Sequence, residues 1–247
     1  MSRYKLSNQI LELGLDAREL SVYAYLCSIH SGHQTITGET VVSVKQSTIA
    51  QNCGIRSVQT VARILSRLTD KGLTERIRRS VKANRHKGTY SYAVKQLSLD
   101  GGWFFVDRHI FGRLIPRQML VYLFLCKAYS TELCDSWNSY NDIAAQTGMK
   151  REAVIQTVGE LAGMRLIVRC RRKSRENKRV FVDNHYQIIL FIRGSIRKKC
   201  KKIARLYSQY NRTNDLRKSS INHIHYITLP MNCQAPVKTF FSVRGSP

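Results

Sequence analysis

Acid is what this chain has least of. It carries 16 Asp and Glu against 41 Lys and Arg in 247 residues, a formal charge of +25 with a pI near 10.2. Such an imbalance costs stability by self-repulsion, so the expected partner is a polyanion. The acidic residues are also too scattered to suggest a metal-dependent nuclease. The seven cysteines are odd in number, irregularly spaced and free of any C-x-x-C pair. That argues against a zinc site or a disulfide framework, and for free thiols used as small core residues in a reducing cytoplasm. No apolar run approaches the ~18 residues of a membrane span. The opening MSRYKLSNQILELGLD has no apolar core or small-residue cleavage site, so no secretory signal is expected. No G-x-x-x-x-G-K, H-E-x-x-H or G-x-S-x-G occurs, so no cofactor, metal or catalytic group is expected from these motifs.

What is present is a repeat. LDARELSVYAYLC at 15–27 matches LIPRQMLVYLFLC at 114–126, STIAQNCGI at 47–55 matches NDIAAQTGM at 141–149, and the stretch 58–79 matches 152–172 with a one-residue slip after the glycine. Three segments in one order mean two copies of one unit. Asp16 followed by Glu19 has the form of a capping box ahead of a helix bearing Leu20, Tyr23, Ala24 and Cys27. Pro116 suits the first turn of the second copy's helix. Short second helices are expected over 47–52 and 141–147, stopped by Gly54 and Gly148. Third helices follow, with buried faces Val58, Val61, Leu65 and Leu68, then Val154, Val158 and Leu161. Strand-like runs at 74–81 and 89–94, and at 166–170 and 180–189, flank the basic tips KANRHKG and RRKSRENKR.

The expected fold is therefore mainly α with small β wings (α+β). It comprises two tandem winged helix-turn-helix domains, at 1–98 and 103–192, then a basic C-terminal helix and tail at 193–247. In a helix-turn-helix the later helix of the pair enters the ~12 Å major groove of a duplex. The base-reading candidates are Arg56, Ser57, Gln59, Thr60 and Arg63, and Lys150, Arg151, Glu152 and Gln156. The bland alternative is an ordinary solvated helix face. Its occurrence twice, each time after an I-A-x-x-x-G turn, argues for readout. The wing candidates for phosphate are Lys82, Arg85, His86, Lys87, Arg171, Arg172, Lys173, Arg175, Lys178 and Arg179.

The most basic stretch is 193–218, where Arg197, Lys198, Lys201, Lys202 and Arg205 flank a stripe of Ile196, Cys200, Ile203, Tyr207 and Tyr210. That stripe suits packing in cis or self-association. His223-Ile224-His225, with Tyr207, Tyr210 and Tyr226 nearby, has the form of a nicking-enzyme metal element. Only about 25 residues remain after it, too few for the ~50 of a small domain. Surface histidines are the simpler account.

The stretch from LSNQILELGLDARELSVYAYLC through STIAQNCGIRSVQTVARILSRLTDKGLTERI resembles the helix-turn-helix proteins of bacterial plasmids and conjugative elements. Two such units at this length also resemble, in architecture, plasmid replication initiators. The resemblance implies double-stranded DNA as partner, host replication proteins as further partners, and a bacterial location on plasmid or nucleoid; the lack of a long apolar run is why no membrane partner is expected. The duplicated unit and the high charge lean toward replication or maintenance of a mobile element, with transcriptional regulation as the alternative.

Overall fold

The computed structural model describes residues 3–29, 40–81, 87–130, 135–173 and 181–189. Within them the chain is mixed helix and strand, with six α-helices and three small antiparallel sheets. Strand β1 (Arg3–Ser7) leads through a 3-10 turn to helix α1 (Ala17–Ser28). Strand β2 (Thr40–Val44), helices α2 (Gln46–Asn52) and α3 (Val58–Asp70), and strands β3 (Thr74–Val81) and β4 (Lys87–Val94) complete the first copy. The second copy repeats the order as β5 (Trp103–Asp107), a 3-10 turn, α4 (Pro116–Lys127), β6 (Ser136–Trp137), α5 (Tyr140–Thr147), α6 (Arg151–Gly163), β7 (Ile167–Lys173) and β8 (Phe181–Ile188). The sheets run β2-β4-β3 and β6-β8-β7, with β1-β5 apart.

Local signals account for most boundaries. Asp16 accepts from the backbone N–H groups of Arg18 and Glu19, and Glu19 accepts from that of Asp16, closing the expected capping box. Gly54 and Gly148 sit at φ +62° and +66°, the left-handed conformation that glycine adopts without a Cβ penalty. α1 differs from a surface helix: Glu19 to Ser28 are all buried, because α2, α3, α4 and β1 enclose it.

Three expectations need correction. Val58 is 42% exposed, and the buried stripe of α3 is Val61, Ile64, Leu65 and Leu68. In α6 the equivalent stripe is Val154, Thr157, Val158 and Leu161, 93 residues later at each step. The offset across α2 and α5 is 94, from Ile49 to Ile143 and Gly54 to Gly148. The one-residue slip therefore falls in the turn before the third helix, not after the glycine. Past that helix the frame holds: Gly72, at φ +66°, is matched by Arg165 at φ +56°. A non-glycine there costs roughly 1 kcal/mol. The hairpin strands also reach further than expected. Lys87 lies on β4, and Arg171, Arg172 and Lys173 lie on β7, outside the tips proper.

The strands the sequence reading missed join the two copies. β1 pairs antiparallel with β5, with Lys5 opposite Phe105, Arg3 opposite Asp107 and Ser7 opposite Trp103. The two strands hold the same place in their copies. In each, the residue after the strand core caps a 3-10 turn, Ser7 to the Gln9 N–H and Asp107 to the His109 N–H, and a fully buried isoleucine follows, Ile10 and Ile110. An antiparallel pair of equivalent strands, centred on the equivalent residues Lys5 and Phe105, has a local two-fold axis through its centre. Helices α1 and α4 pack on each other beneath it. Tyr4, Leu6, Phe104 and Val106 point into one hydrophobic cluster that runs through both copies. The connecting segment is pinned to β1 by Ser7 Oγ donating to the Ser98 carbonyl (2.7 Å) and by the Asn8 N–H donating to that of Gly102 (3.0 Å).

The copies differ in how their helix-turns are supported. A Cβ on Gly54 would lie 2.9 Å from the Leu114 carbonyl oxygen and 3.0 Å from the Ile115 Cα, whereas one on Gly148 would meet nothing within 4 Å. The helix-turn of the first copy is thus buttressed by the second, and the reverse contact is absent. Gly54→Ala should accordingly cost well over the roughly 1 kcal/mol of strain expected of Gly148→Ala, since rigid backbone must also move. Urea denaturation of the two variants checks the ranking; equal midpoints would contradict it.

Burial also sets the chemistry of the core thiols and phenols. It pushes the Cys27 thiol up to about 12, and holds Cys53, Cys126, Tyr23, Tyr4 and Tyr122 further above their usual values. An unfolded thiol ionises near pH ~8.5, so above that the native state binds more protons than the unfolded one. Stability should hold from pH 7 to 8 and fall as pH rises past about 9. Iodoacetamide at pH 8 should label these three cysteines only after denaturation, read by peptide mass.

Candidate nucleic-acid interface

The apolar stripe of each third helix decides which side chains face water. In α3, Arg56, Gln59 and Arg63 are exposed, and Ser57 and Thr60 are half-buried at its start. Ser57 Oγ–H donates to Gln59 Oε1 at 2.6 Å, which leaves Gln59 its two amide N–H donors. Val58 adds an exposed apolar surface in the first turn. Among the described residues neither Arg56 nor Arg63 forms an ion pair. Two cations further along the helix behave differently. Arg67 and Lys71 are drawn to Glu19, whose side chain is 4% exposed, at 3.6 and 2.7 Å. The electrostatics of the helix thus divide by position, with its C-terminal end neutralised in the fold and its N-terminal end left positive.

In α6, Lys150, Arg151, Glu152 and Gln156 are all exposed. Arg151 leans over the Tyr140 ring, 6.0 Å from its centroid. Gln156 is not independent: its Nε2 donates to Glu160 Oε1 at 2.9 Å. Glu160 also accepts from Arg117 and, at 2.7 Å, from Gln118 Nε2. Glu160 stands where Arg67 stands in the first copy, and Gln118 where Glu19 stands. The tie between the first and third helices is therefore kept with its charges exchanged. Gln118 Oε1 still accepts from the Ile115 N–H at 3.1 Å, as Glu19 does from Asp16. An amide can serve both as cap acceptor and as donor to a carboxylate, which a carboxylate cannot.

The sheets set two further cations beside these helices. Lys45 is exposed at the N-terminus of α2, and the exposed Arg76 of β3 lies 5.2 Å from the Tyr90 ring centroid. Neither stood out in the sequence, because Lys45 lies outside any basic run and Arg76 looks like ordinary strand surface. Lys87, Arg171, Arg172 and Lys173 are carried on strands leading to the hairpin tips. Lys82, Arg85, His86, Arg175, Lys178 and Arg179 lie outside the described residues, as do Arg197, Lys198, Lys201, Lys202, Arg205, the stripe from Ile196 to Tyr210, and the pair His223 and His225. Among the described residues no helix is long and apolar enough to cross a membrane.

No family model matches the chain, and no curated protein matches it by sequence. Among solved structures, one described as the crystal structure of Pi initiator protein in complex with iteron DNA superposes with a TM-score of 0.46 at 10% identity, covering 75% of this chain and 96% of that one. A likeness this loose fixes neither fold nor function for this chain.

The exchanged tie has a measurable consequence. Glu160→Ala removes the acceptor of the buried Gln118 amide and strands Arg117, so it should cost about 1–3 kcal/mol. Chemical denaturation with an unchanged m-value would read this; a cost below a few tenths of a kcal/mol would show that the tie carries no stability.

Proposed function

We propose that the chain binds double-stranded DNA through two tandem winged helix-turn-helix units, and that it acts by binding and not by catalysis. The observation that carries this reading is the stretch from Arg56 through the second turn of α3. There Arg56, Gln59 and Arg63 face solvent without ion-pair partners among the described residues, on a chain of charge +25, while every other cation of that helix is tied into the fold. Arg in this setting pairs two ways with guanine and Gln with adenine. The exposed Lys150 and Arg151 of α6 offer a second, chemically different reading head. Lys45 and the hairpin cations supply phosphate contacts, which position the protein without reading sequence.

The local two-fold bears on the target. Two heads related by such an axis meet a duplex in opposite orientations, as the subunits of a symmetric dimer do. Their residues differ, so the two half-sites are inverted in direction but unlike in sequence. A single chain then covers a long asymmetric site without dimerising. That suits replication or maintenance of a plasmid or similar element, which is the role proposed here. A transcriptional regulator more commonly meets a palindromic operator as a dimer of identical subunits.

Selection of bound duplexes from a random pool, followed by footprinting, should return a bipartite motif. Arg56→Ala, Gln59→Ala and Arg63→Ala should each weaken binding about 5- to 150-fold, the equivalent of 1–3 kcal/mol, and relax preference at one half of the motif. Six phosphate contacts would give a log–log salt slope near −5. If the purified chain ignores duplexes in dilute buffer, or the three variants bind as the parent does, the proposal fails.

A further inference from the structure

The outer face of the β1–β5 pair takes no part in the reading above. Its inner face, Tyr4, Leu6, Phe104 and Val106, is core. Alternation then sends Lys5, Trp103 and Phe105 outward, all three exposed, with Trp103 at 40% and Phe105 at 37%. The two rings lie edge to face with centroids 4.8 Å apart, and Lys5 Nζ stands 4.1 Å from the centroid of Trp103. Arg108 and His109, both exposed, follow at the strand end, with the Arg108 guanidinium turned to the inner-face ring of Tyr4, 6.0 Å from its centroid. The acids of these segments already have partners: Asp100 accepts from the Ser98 hydroxyl at 2.7 Å. The Asp107 carboxylate holds His109 at 2.8 Å, and Glu12 holds Lys127 at 2.9 Å. Large aromatic side chains on a solvent-facing strand cost solubility and add nothing to the core.

We propose that this face binds single-stranded nucleic acid, with unpaired bases stacked on Trp103 and Phe105 and a phosphate held by Lys5. Every base presents a π-face, so two exposed rings beside a cation accept a strand with little regard to sequence. A closed duplex does not fit the same chemistry, because its bases are stacked on one another and only their edges face the grooves. Charge complementarity selects the occupant: on a chain of charge +25, a neutral or basic protein partner gains nothing from Lys5, whereas a polyanion does. The assignment goes beyond duplex binding by α3 and α6 and does not depend on it, since none of those helices' exposed residues is used.

The chain's two tryptophans allow a direct test. In full-length Trp137→Phe, Trp103 is the sole indole. Titration with a 15-nucleotide oligo(dT) at low salt should quench its emission saturably. By fluorescence anisotropy, Trp103→Leu with Phe105→Leu should raise the Kd for oligo(dT) at least about tenfold, because leucine keeps apolar bulk but offers no π-face. Lys5→Glu, at an exposed position with no core contact to lose, should raise it too. Duplex affinity should change less than twofold in both, and circular dichroism melts should match the parent. Unchanged oligo(dT) affinity in the Leu pair and in Lys5→Glu would overturn the proposal. So would an equal loss of duplex binding, or light scattering showing that the Leu pair abolishes self-association while oligo(dT) binding persists. Failure of duplex binding in Arg56→Ala, Gln59→Ala or Arg63→Ala leaves this test untouched, so the two readings stand or fall separately.

Discussion

The structure depends on the pairing of β1 with β5 above the packed helices α1 and α4. Neither copy encloses its first helix alone: α1 is buried from Glu19 to Ser28, and α4 from Gln118 to Cys126, because each is the other's lid. Removing that mutual burial would expose rows of leucine, valine, tyrosine and phenylalanine, each worth about 1.5–3 kcal/mol when fully buried. With it in place, α3 packs on α1 and α6 on α4, so both polar helices rest on one continuous core. A strand pairing of only five residues could not do this by hydrogen bonding alone; the apolar faces of Tyr4, Leu6, Phe104 and Val106 make it part of the core.

Inside this frame the copies keep geometry and let chemistry drift. The tie between first and third helix is Glu19 with Lys71 and Arg67 on one side, and Gln118 and Arg117 with Glu160 on the other. The left-handed position after the third helix is glycine in one copy and Arg165 in the other. The buried stripe admits Thr157 where Ile64 stands, because its hydroxyl donates to the Ala153 carbonyl at 2.7 Å. Divergence reaches the exposed faces of the third helices by the same route. Glu160 also draws in Gln156, while its counterpart Arg63 has no ion-pair partner among the described residues, so two helices of one shape present different donors.

Much of this was legible beforehand. The capping box at Asp16, the proline at the start of α4, the glycines ending α2 and α5, and the hairpins each rest on a local rule. The misreadings had physical causes. Val58 satisfies helical spacing with Val61 and Leu65, yet it occupies the first turn, beyond the reach of the core. The slip between copies was put after the glycine because identity alone cannot say which of two adjacent alignments buries its apolar residues. β1 and β5 escaped because RYKLS and WFFVD share no residue and their partners lie 100 positions apart. β2 and β6 escaped because five residues and two residues are too short to declare a period.

By itself, then, the sequence determined the repeat, its helices and turns, and the excess of positive charge, because propensity, capping and hydrophobic period act within a few residues. Only the tertiary structure decided which face of α3 meets water, which cations are spent on internal carboxylates, and how the copies turn toward each other. Those depend on contacts between segments about a hundred residues apart, and the energy that selects among them comes from burying both copies in one core.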